Sequence, residues 1–450
     1  MRRTLVIERL GHRGEGIART EEGLVFVPFA LPGESVLAET EGERARLVDI
    51  LAPSPDRVAP YCDHFGRCGG CVAQTLAPQA YAEWKRGLVE TALRNAGLDI
   101  KRFPIERNRS IDQNSRQRKK APSGPIGSDG AIAVAPLVDA HGAGRRRVTF
   151  HARFDHGVVR LGFMQARSHD LVAIDACPLL EPGLARAPSV AAALAQALAA
   201  RGKPLDLAIT ATAGGLDVDL RGAGALEEGE TRALIALAEA LDLARLANHG
   251  RLVALRRPPA IAVGDTLVVP PPGAFLQATA AGEAAIAAQV EAAAAGAARI
   301  ADLFCGVGAF ALRLAARAQV TAIDLDAPAI EALDRAARAA MRPVEAKTRD
   351  LFRRPLMAEE LARFDAIVFD PPRAGAQAQA REIARSSVSK VVAVSCDAQS
   401  FARDAAILQE AGYRAGAVTP IDQFRHSPHV EIVALFERAA KAPRRRLLSR

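Results

Sequence analysis

The chain has 450 residues, 49% of them hydrophobic and 24% charged, with a formal net charge of +8 and six cysteines. This size gives two or three domains with ample material for a core, and the composition is that of ordinary soluble proteins. It excludes a membrane span, since no apolar run approaches the roughly 18 residues that one needs. The start, MRRTLVIERLGHRGEG, turns polar too soon for a signal-peptide core, so a cytoplasmic protein is expected. In a reducing cytosol the cysteines are not expected to be structural disulfides.

Residues 1–53 alternate apolar and polar, with glycines between the runs, and predict four or five short strands forming a small β-barrel. PSPDRVAP, 53–60, reads as a linker. Residues 54–265 are expected to form a central α+β domain. It begins with CDHFGRCGGC, where Cys62, Cys68 and Cys71 stand close together, and a helical stretch, YAEWKRGLVETALRNAG, follows. Residues 106–130 are polar, basic and without periodicity, and are expected to be a disordered insertion. Strand-like patterning returns in RRRVTFHARF, GVVRLGFM, LDLAITAT and GLDVDLRG. The excess positive charge is clustered at 116–120, 145–147 and 444–446, which points to a polyanion partner, nucleic acid first.

Over 266–438 short apolar strands (RIADLF, QVTAID, FDAIVFD, KVVAVSC) alternate with helical segments, the pattern of a parallel sheet covered by helices on both faces. VEIVALF closes the domain, and a basic tail occupies 439–450. ADLFCGVGAFALRLA is a strand, a glycine turn and a helix, in which Gly306 and Gly308 allow a ligand close to the backbone. Asp324 ends the next strand, where an acid can hold both ribose hydroxyls of an adenosine. NAD and S-adenosylmethionine fit this much equally. FDAIVFDPPR favours the second, because Asp370 followed by two prolines makes a rigid lip at the strand ends, as in methyltransferases that act on nucleobases. Asp350, after the third strand, is a further candidate for the adenine edge.

Cys396 follows the fifth strand and so faces the same crevice. The helix beginning near Ser400 is expected to lower its pKa. A thiol beside a methyl donor suits pyrimidine C5 chemistry: addition to C6 activates C5, and a base afterwards removes the C5 proton. Glu431 is the candidate base, with His426 and His429 as rivals. Cys305 reads as an ordinary buried cysteine. Cys62, Cys68, Cys71 and Cys177 could hold a 4Fe–4S cluster or a zinc ion.

Together these segments resemble the bacterial RNA uridine-C5 methyltransferases that carry a TRAM domain and an iron–sulfur cluster. GHRGEGIA and FVPFALPGE look like TRAM. CDHFGRCGGC with Cys177 is similar to the four cluster ligands. FLQAT implies Gln277 as a cofactor contact, and DLFCGVG implies Phe304. DPPRAG, SCD and HVE carry Asp370, the nucleophile Cys396 and the base Glu431. Ala309, Asp397 and Ala398 depart from the family pattern. The resemblance implies a Rossmann-like class I fold, S-adenosylmethionine and a 4Fe–4S cluster as cofactors, and an RNA partner, with 23S rRNA favoured over tRNA. A monomer is expected. The alternatives are an adenine or guanine amino methyltransferase of the same fold, which needs no thiol, and a non-catalytic RNA-binding protein with a relic cofactor site.

Overall fold

The computed structural model describes residues 1–102, 131–155, 158–166, 168 and 170–438. The insertion expected at 106–130, its RQRKK run and the basic tail lie outside them.

Three sheets organise the described residues. The N-terminal sheet has six strands, one or two more than expected, in the order Arg2–Val6, Ser35–Glu41, Arg44–Ala52, Gly23–Val27, Gly16–Thr20, Arg9–Leu10. It is not a closed barrel. Its two edge strands are consecutive in sequence and bend at Ile7–Glu8, so the chain itself bridges the opening. Alternate residues (Leu5, Val25, Val27, Val36, Ala38) turn inward and form its small core. Glu34, fully buried, holds the exit of this sheet by pairing with Arg57 and accepting the Leu31 and Ser54 amides.

The second sheet has seven strands, with Val148, Phe150, Ala152, Leu207, Ile209, Val218 and Leu220 packed under the helices Ala187–Ala197 and Glu228–Ala240. The third sheet runs Val344–Thr348, Gln319–Asp324, Arg299–Leu303, Ala366–Phe369, Lys390–Ser395, Glu431–Glu437, Thr419–Asp422, Val138–Asp139. The first five strands are parallel, and all but the edge strand Val344–Thr348 are almost wholly buried, as continuous runs such as AIVF and KVVAVS require. The strand order reverses between Arg299–Leu303 and Ala366–Phe369, which opens a crevice at their carboxyl ends. The sheet is not parallel throughout: Glu431–Glu437 inserts antiparallel beside Lys390–Ser395 and pairs with Thr419–Asp422 on its other side.

The edge strand Val138–Asp139 comes from upstream of the seven-stranded sheet. The helix Pro78–Asn95 also belongs to this layer, its Val89 and Leu93 packing with Ile132, Val134, Phe401 and Val418. The helix Pro78–Asn95 and the strands Ile132–Val134 and Val138–Asp139, which precede the seven-stranded sheet in the chain, thus pack with the C-terminal sheet. On the other side of that helix, Trp84 Nε1 donates to Gly11 O at 3.1 Å and ties it to the N-terminal sheet.

Candidate active site

The turn after Arg299–Leu303 takes the left-handed region at Phe304, Gly306 and Gly308. The two glycines differ in use. A Cβ on Gly308 would sit 2.3 Å from Leu333 Cδ1, so this glycine lets the helix Ala327–Ala339 approach. A Cβ on Gly306 would meet nothing within 4 Å, which leaves room for a ligand. Asp324 Oδ2 accepts the Gly306 amide at 2.9 Å, so the acid and the glycine turn form one unit. Asp350 accepts the Phe352 and Arg353 amides, and the half-exposed Phe352 ring lies 5.3 Å from that of Phe304. Phe304, Gly306, Asp324 and Asp350 thus gather on one rim of the crevice. Asp302 sits beneath them, fully buried. The Ala311 amide points toward it without closing a well-formed bond, and neither carboxylate oxygen has a partner among the described residues. Burial pushes its pKa up to about 8, helped by the charge of Asp324.

Across the switch point stand Asp370, Cys396 and Glu431. Ser395 pairs with Ile432, so one further step of the same antiparallel register brings Cys396 opposite Glu431. Phe369 pairs with Ala393 on the adjoining strand, which places Asp370 beside them. Glu431 is 2% exposed. Burial, against the opposing pull of Gln423, Lys85 and Arg373, raises its pKa to about 7. Asp370 is pushed well above the usual carboxylate range by burial and by the charges of Glu431 and Asp302. Gln277 Nε2 donates to Asp370 Oδ2 at 3.3 Å.

The expected lowering of the Cys396 pKa is not found. Burial, with Glu431 and Asp370 close by, raises it to about 12, only partly opposed by Arg373. The helix Ala398–Glu410 supplies little compensating field, because Asp397 caps it, accepting the Gln399 and Ser400 amides at 3.0 and 2.8 Å. Of the rival bases, His426 turns away: its Nδ1 lies 3.1 Å from Ala73 O, and its amide donates to the Tyr81 hydroxyl. His429 stays near the crevice, its Nε2 3.2 Å from an Arg373 nitrogen. Burial and that guanidinium lower its pKa to about 4. Lys85, fully buried on the helix Pro78–Asn95, pairs with Asp422 at 2.9 Å and donates to the carbonyl oxygens of Phe424 and His429. It pins the loop that leads into Glu431. Gln423, Lys85, Arg373 and Asp302 carried no role in the sequence reading, although Asp302 and Arg373 lie inside its two strongest segments.

The three arginines at 145–147 are not a solvated phosphate-binding stripe. Arg145 and Arg146 precede the strand Arg147–Asp155, and the three side chains take different partners. Arg146 is buried and paired with Glu283 at 2.6 Å, Arg147 lies 5.2 Å over the Phe275 ring, and Arg145 and Arg147 both border a cavity. That cavity, about 340 Å³, is lined by Cys62, Cys68, Cys71 and Cys177. None of the four is in a disulfide. Among the described residues no three His, Cys, Asp or Glu side chains converge closely enough to hold a single metal ion. Arg145 has no carboxylate partner among the described residues. Its charge lowers the thiol pKa values of Cys68, Cys71 and Cys177, whereas burial raises them, that of Cys71 to about 11. An unneutralised guanidinium aimed at four thiols fits an anionic thiolate-bound group. Cys305 is buried in the core, as expected.

The TRAM domain family matches residues 2–39, and the methyltransferase small domain family matches 268–394. A protein named an uncharacterized RNA methyltransferase, from Brucella suis, is 43% identical over 96% of this chain and 97% of its own. A 23S rRNA (uracil(1939)-C(5))-methyltransferase from Chromohalobacter salexigens is 34% identical over 96% of this chain and 89% of its own. The chain belongs to the TRAM-domain RNA uracil-C5 methyltransferase family. Its fold is also that of a solved structure, the Pyrococcus abyssi tRNA (uracil-54, C5)-methyltransferase in complex with S-adenosyl-L-homocysteine. The TM-score is 0.68 at 20% identity, covering 97% of this chain and 100% of the other. The expected class I methyltransferase fold is therefore present. No helix among the described residues of this family member is long and apolar enough to cross a membrane.

Proposed function

We propose that this family member methylates C5 of a uridine in RNA, forming 5-methyluridine, with S-adenosylmethionine as methyl donor and 23S rRNA as substrate. The observation that carries the proposal is the meeting of Asp370 and Cys396, just past the carboxyl ends of two neighbouring parallel strands, with Glu431 at the amino end of the antiparallel strand beside them. The relative at 34% identity named for 23S rRNA supports the ribosomal substrate.

The crevice suits the cofactor. The open space beside Gly306 fits a ligand that approaches the backbone. Gln277, Phe304, Gly306, Gly308, Asp324, Asp350 and Asp370 are the residues that would hold it. S-adenosylmethionine supplies the methyl group. The rest belongs to the protein. A target base leaves its stack to reach Cys396. Held as a thiol chiefly by burial, with Glu431 and Asp370 adding to it, Cys396 loses its proton to solvent as the substrate enters, and its sulfur adds to C6. C5, now nucleophilic, takes the methyl group. Glu431 then removes the C5 proton, the electron pair forms the C5–C6 double bond, and the C6–S bond breaks to return the thiolate. A carboxylate with a pKa near 7 is suited to that last step.

Cys62, Cys68, Cys71 and Cys177 are the residues that would hold a 4Fe–4S cluster. Four thiols standing apart around a cavity suit a cluster better than one zinc ion. No step of methyl transfer passes through it. We read the protein as a cytoplasmic enzyme acting as a monomer.

The test is incubation of the protein with 5-fluorouridine RNA and S-adenosylmethionine. A denaturant-stable protein–RNA adduct is expected, and it should vanish in Cys396→Ala. An amino methyltransferase would stay active without the thiol, and a relic site would give neither adduct nor methylation.

A further inference from the structure

Gln423 follows the short buried strand Thr419–Asp422 and has no accessible surface. Three hydrogen bonds fix its amide. The Thr279 backbone N–H points at its Oε1, at 3.3 Å, so that end must be the carbonyl. The NH2 end then donates both its protons, one to Gln277 Oε1 and one to Glu431 Oε1 at 2.9 Å. Gln277, its carbonyl thus occupied, must turn its own NH2 toward Asp370 Oδ2. The directions leave no freedom: Glu431, Gln423, Gln277 and Asp370 form one chain of donors and acceptors. Glu431 Oε2, by contrast, is buried and accepts from nothing among the described residues. The site is built closely around Gln423. A Cβ on Gly282, in the first turn of the helix Ala280–Ala293, would lie 2.6 Å from Gln423 Oε1 and 2.7 Å from its Cβ.

We propose that Gln423 is the positioning residue of the proton-removal step: by occupying Glu431 Oε1 it fixes the carboxylate's orientation and leaves Oε2 as the atom that takes the C5 proton. The chain through Gln277 also ties the base to the residue expected to contact the cofactor, so the base is aligned by the same amides that border the methyl donor. When the proton arrives on Oε2, the Gln423 bond to Oε1 is kept, and nothing need rotate before the C6–S bond breaks. This rests on Glu431 being the base and Cys396 the nucleophile. The other charged groups that bear on Glu431 are Lys85 from the helix Pro78–Asn95, Arg373 after the Asp-Pro-Pro lip, Asp370, and the Cys396 thiol.

The test uses full-length Gln423→Met and Gln423→Glu with uridine RNA and S-adenosylmethionine. Gln423→Met keeps the volume and removes both donors. Its turnover is expected to fall about 10- to 100-fold, reaching at most the lower end of the roughly 10²–10⁴ that a general base supplies. KM for RNA and cofactor should stay within about twofold, and methylated RNA should accumulate attached to Cys396, because addition and methyl transfer outrun release. Gln423→Glu replaces a donor with an acid, which raises the Glu431 pKa, so the acidic limb of its pH–turnover profile should move to higher pH. Turnover like the unmodified enzyme without trapped adduct overturns the proposal. So does an equal loss of addition, methylation and release, or a pH profile that does not move. Unmodified enzyme that gives no Cys396-dependent adduct with 5-fluorouridine RNA overturns the function itself. An adduct there with no effect at Gln423 overturns only this assignment.

Discussion

Replacing Glu431 by glutamine should do two things at once. Burial lifts the folded-state pKa of this carboxylate to about 7 from an ordinary 4.5. Between those values the folded protein holds a proton that the unfolded chain has lost, so stability falls as pH rises through that window. Above pH 7 the whole cost is present, and 2.5 units correspond to roughly 3 kcal/mol. Below 4.5 both states are protonated and the cost is gone. Glu431→Gln carries no such charge, and its oxygen can still accept from Gln423. The variant should therefore be more stable than the parent by roughly 3 kcal/mol at pH 8, and by less than about 1 kcal/mol at pH 5. Urea titrations at the two pH values measure this directly. The same variant should trap methylated RNA on Cys396, since addition and methyl transfer precede the proton step. A variant that is equally stable or less stable at pH 8 would refute the account of Glu431 as an acid strained by burial.

Other substitutions follow from the same geometry. Lys85→Met leaves the buried Asp422 charge without its cation and should cost about 3–5 kcal/mol in denaturant titration, as breaking a buried pair does. Asp302→Asn replaces a buried acid whose carboxylate oxygens have no well-formed partner among the described residues, so denaturant titration at about pH 8 should show stability unchanged or improved. Arg145→Gln removes the cation facing the four thiols, and anaerobically purified protein should show lower iron and acid-labile sulfide per chain than the parent, with methyltransferase-domain stability retained.

Much of this arrangement was legible in the sequence because strand ends announce themselves. Apolar runs such as AIVF and KVVAVS stop at a polar residue, and in a doubly wound sheet those stopping points converge, so Asp370 and Cys396 could be placed together. Direction is different. VEIVALF reads the same whichever way it runs, so hydropathy could not reveal that Glu431–Glu437 lies antiparallel. Val138–Asp139, two residues long, is too short to carry a period. The thiol pKa was misjudged because a helix start was weighed alone, while the deciding charges, Glu431 and Asp370, sit on other strands and the cap is the next residue along. Gln423 gave no signal: an amide between a short strand and a loop looks like any surface residue until its four neighbours are known. The arginines at 145–147 looked like one feature because a charge run in sequence says nothing about which partners each side chain meets at the entry to a strand.

The strand Val138–Asp139 and the helix Pro78–Asn95 have a practical consequence. The seven-stranded sheet is spliced into the catalytic fold, which begins well before it and ends well after it. A fragment cut to start at residue 266 would lose Val89, Leu93, Ile132 and Val134 from its own interior. It would also bare the backbone of Ile421–Asp422, an unprotected edge open to any passing strand. Whoever wants the catalytic half alone must carry residues from 78 onward and bridge the gap with a short linker.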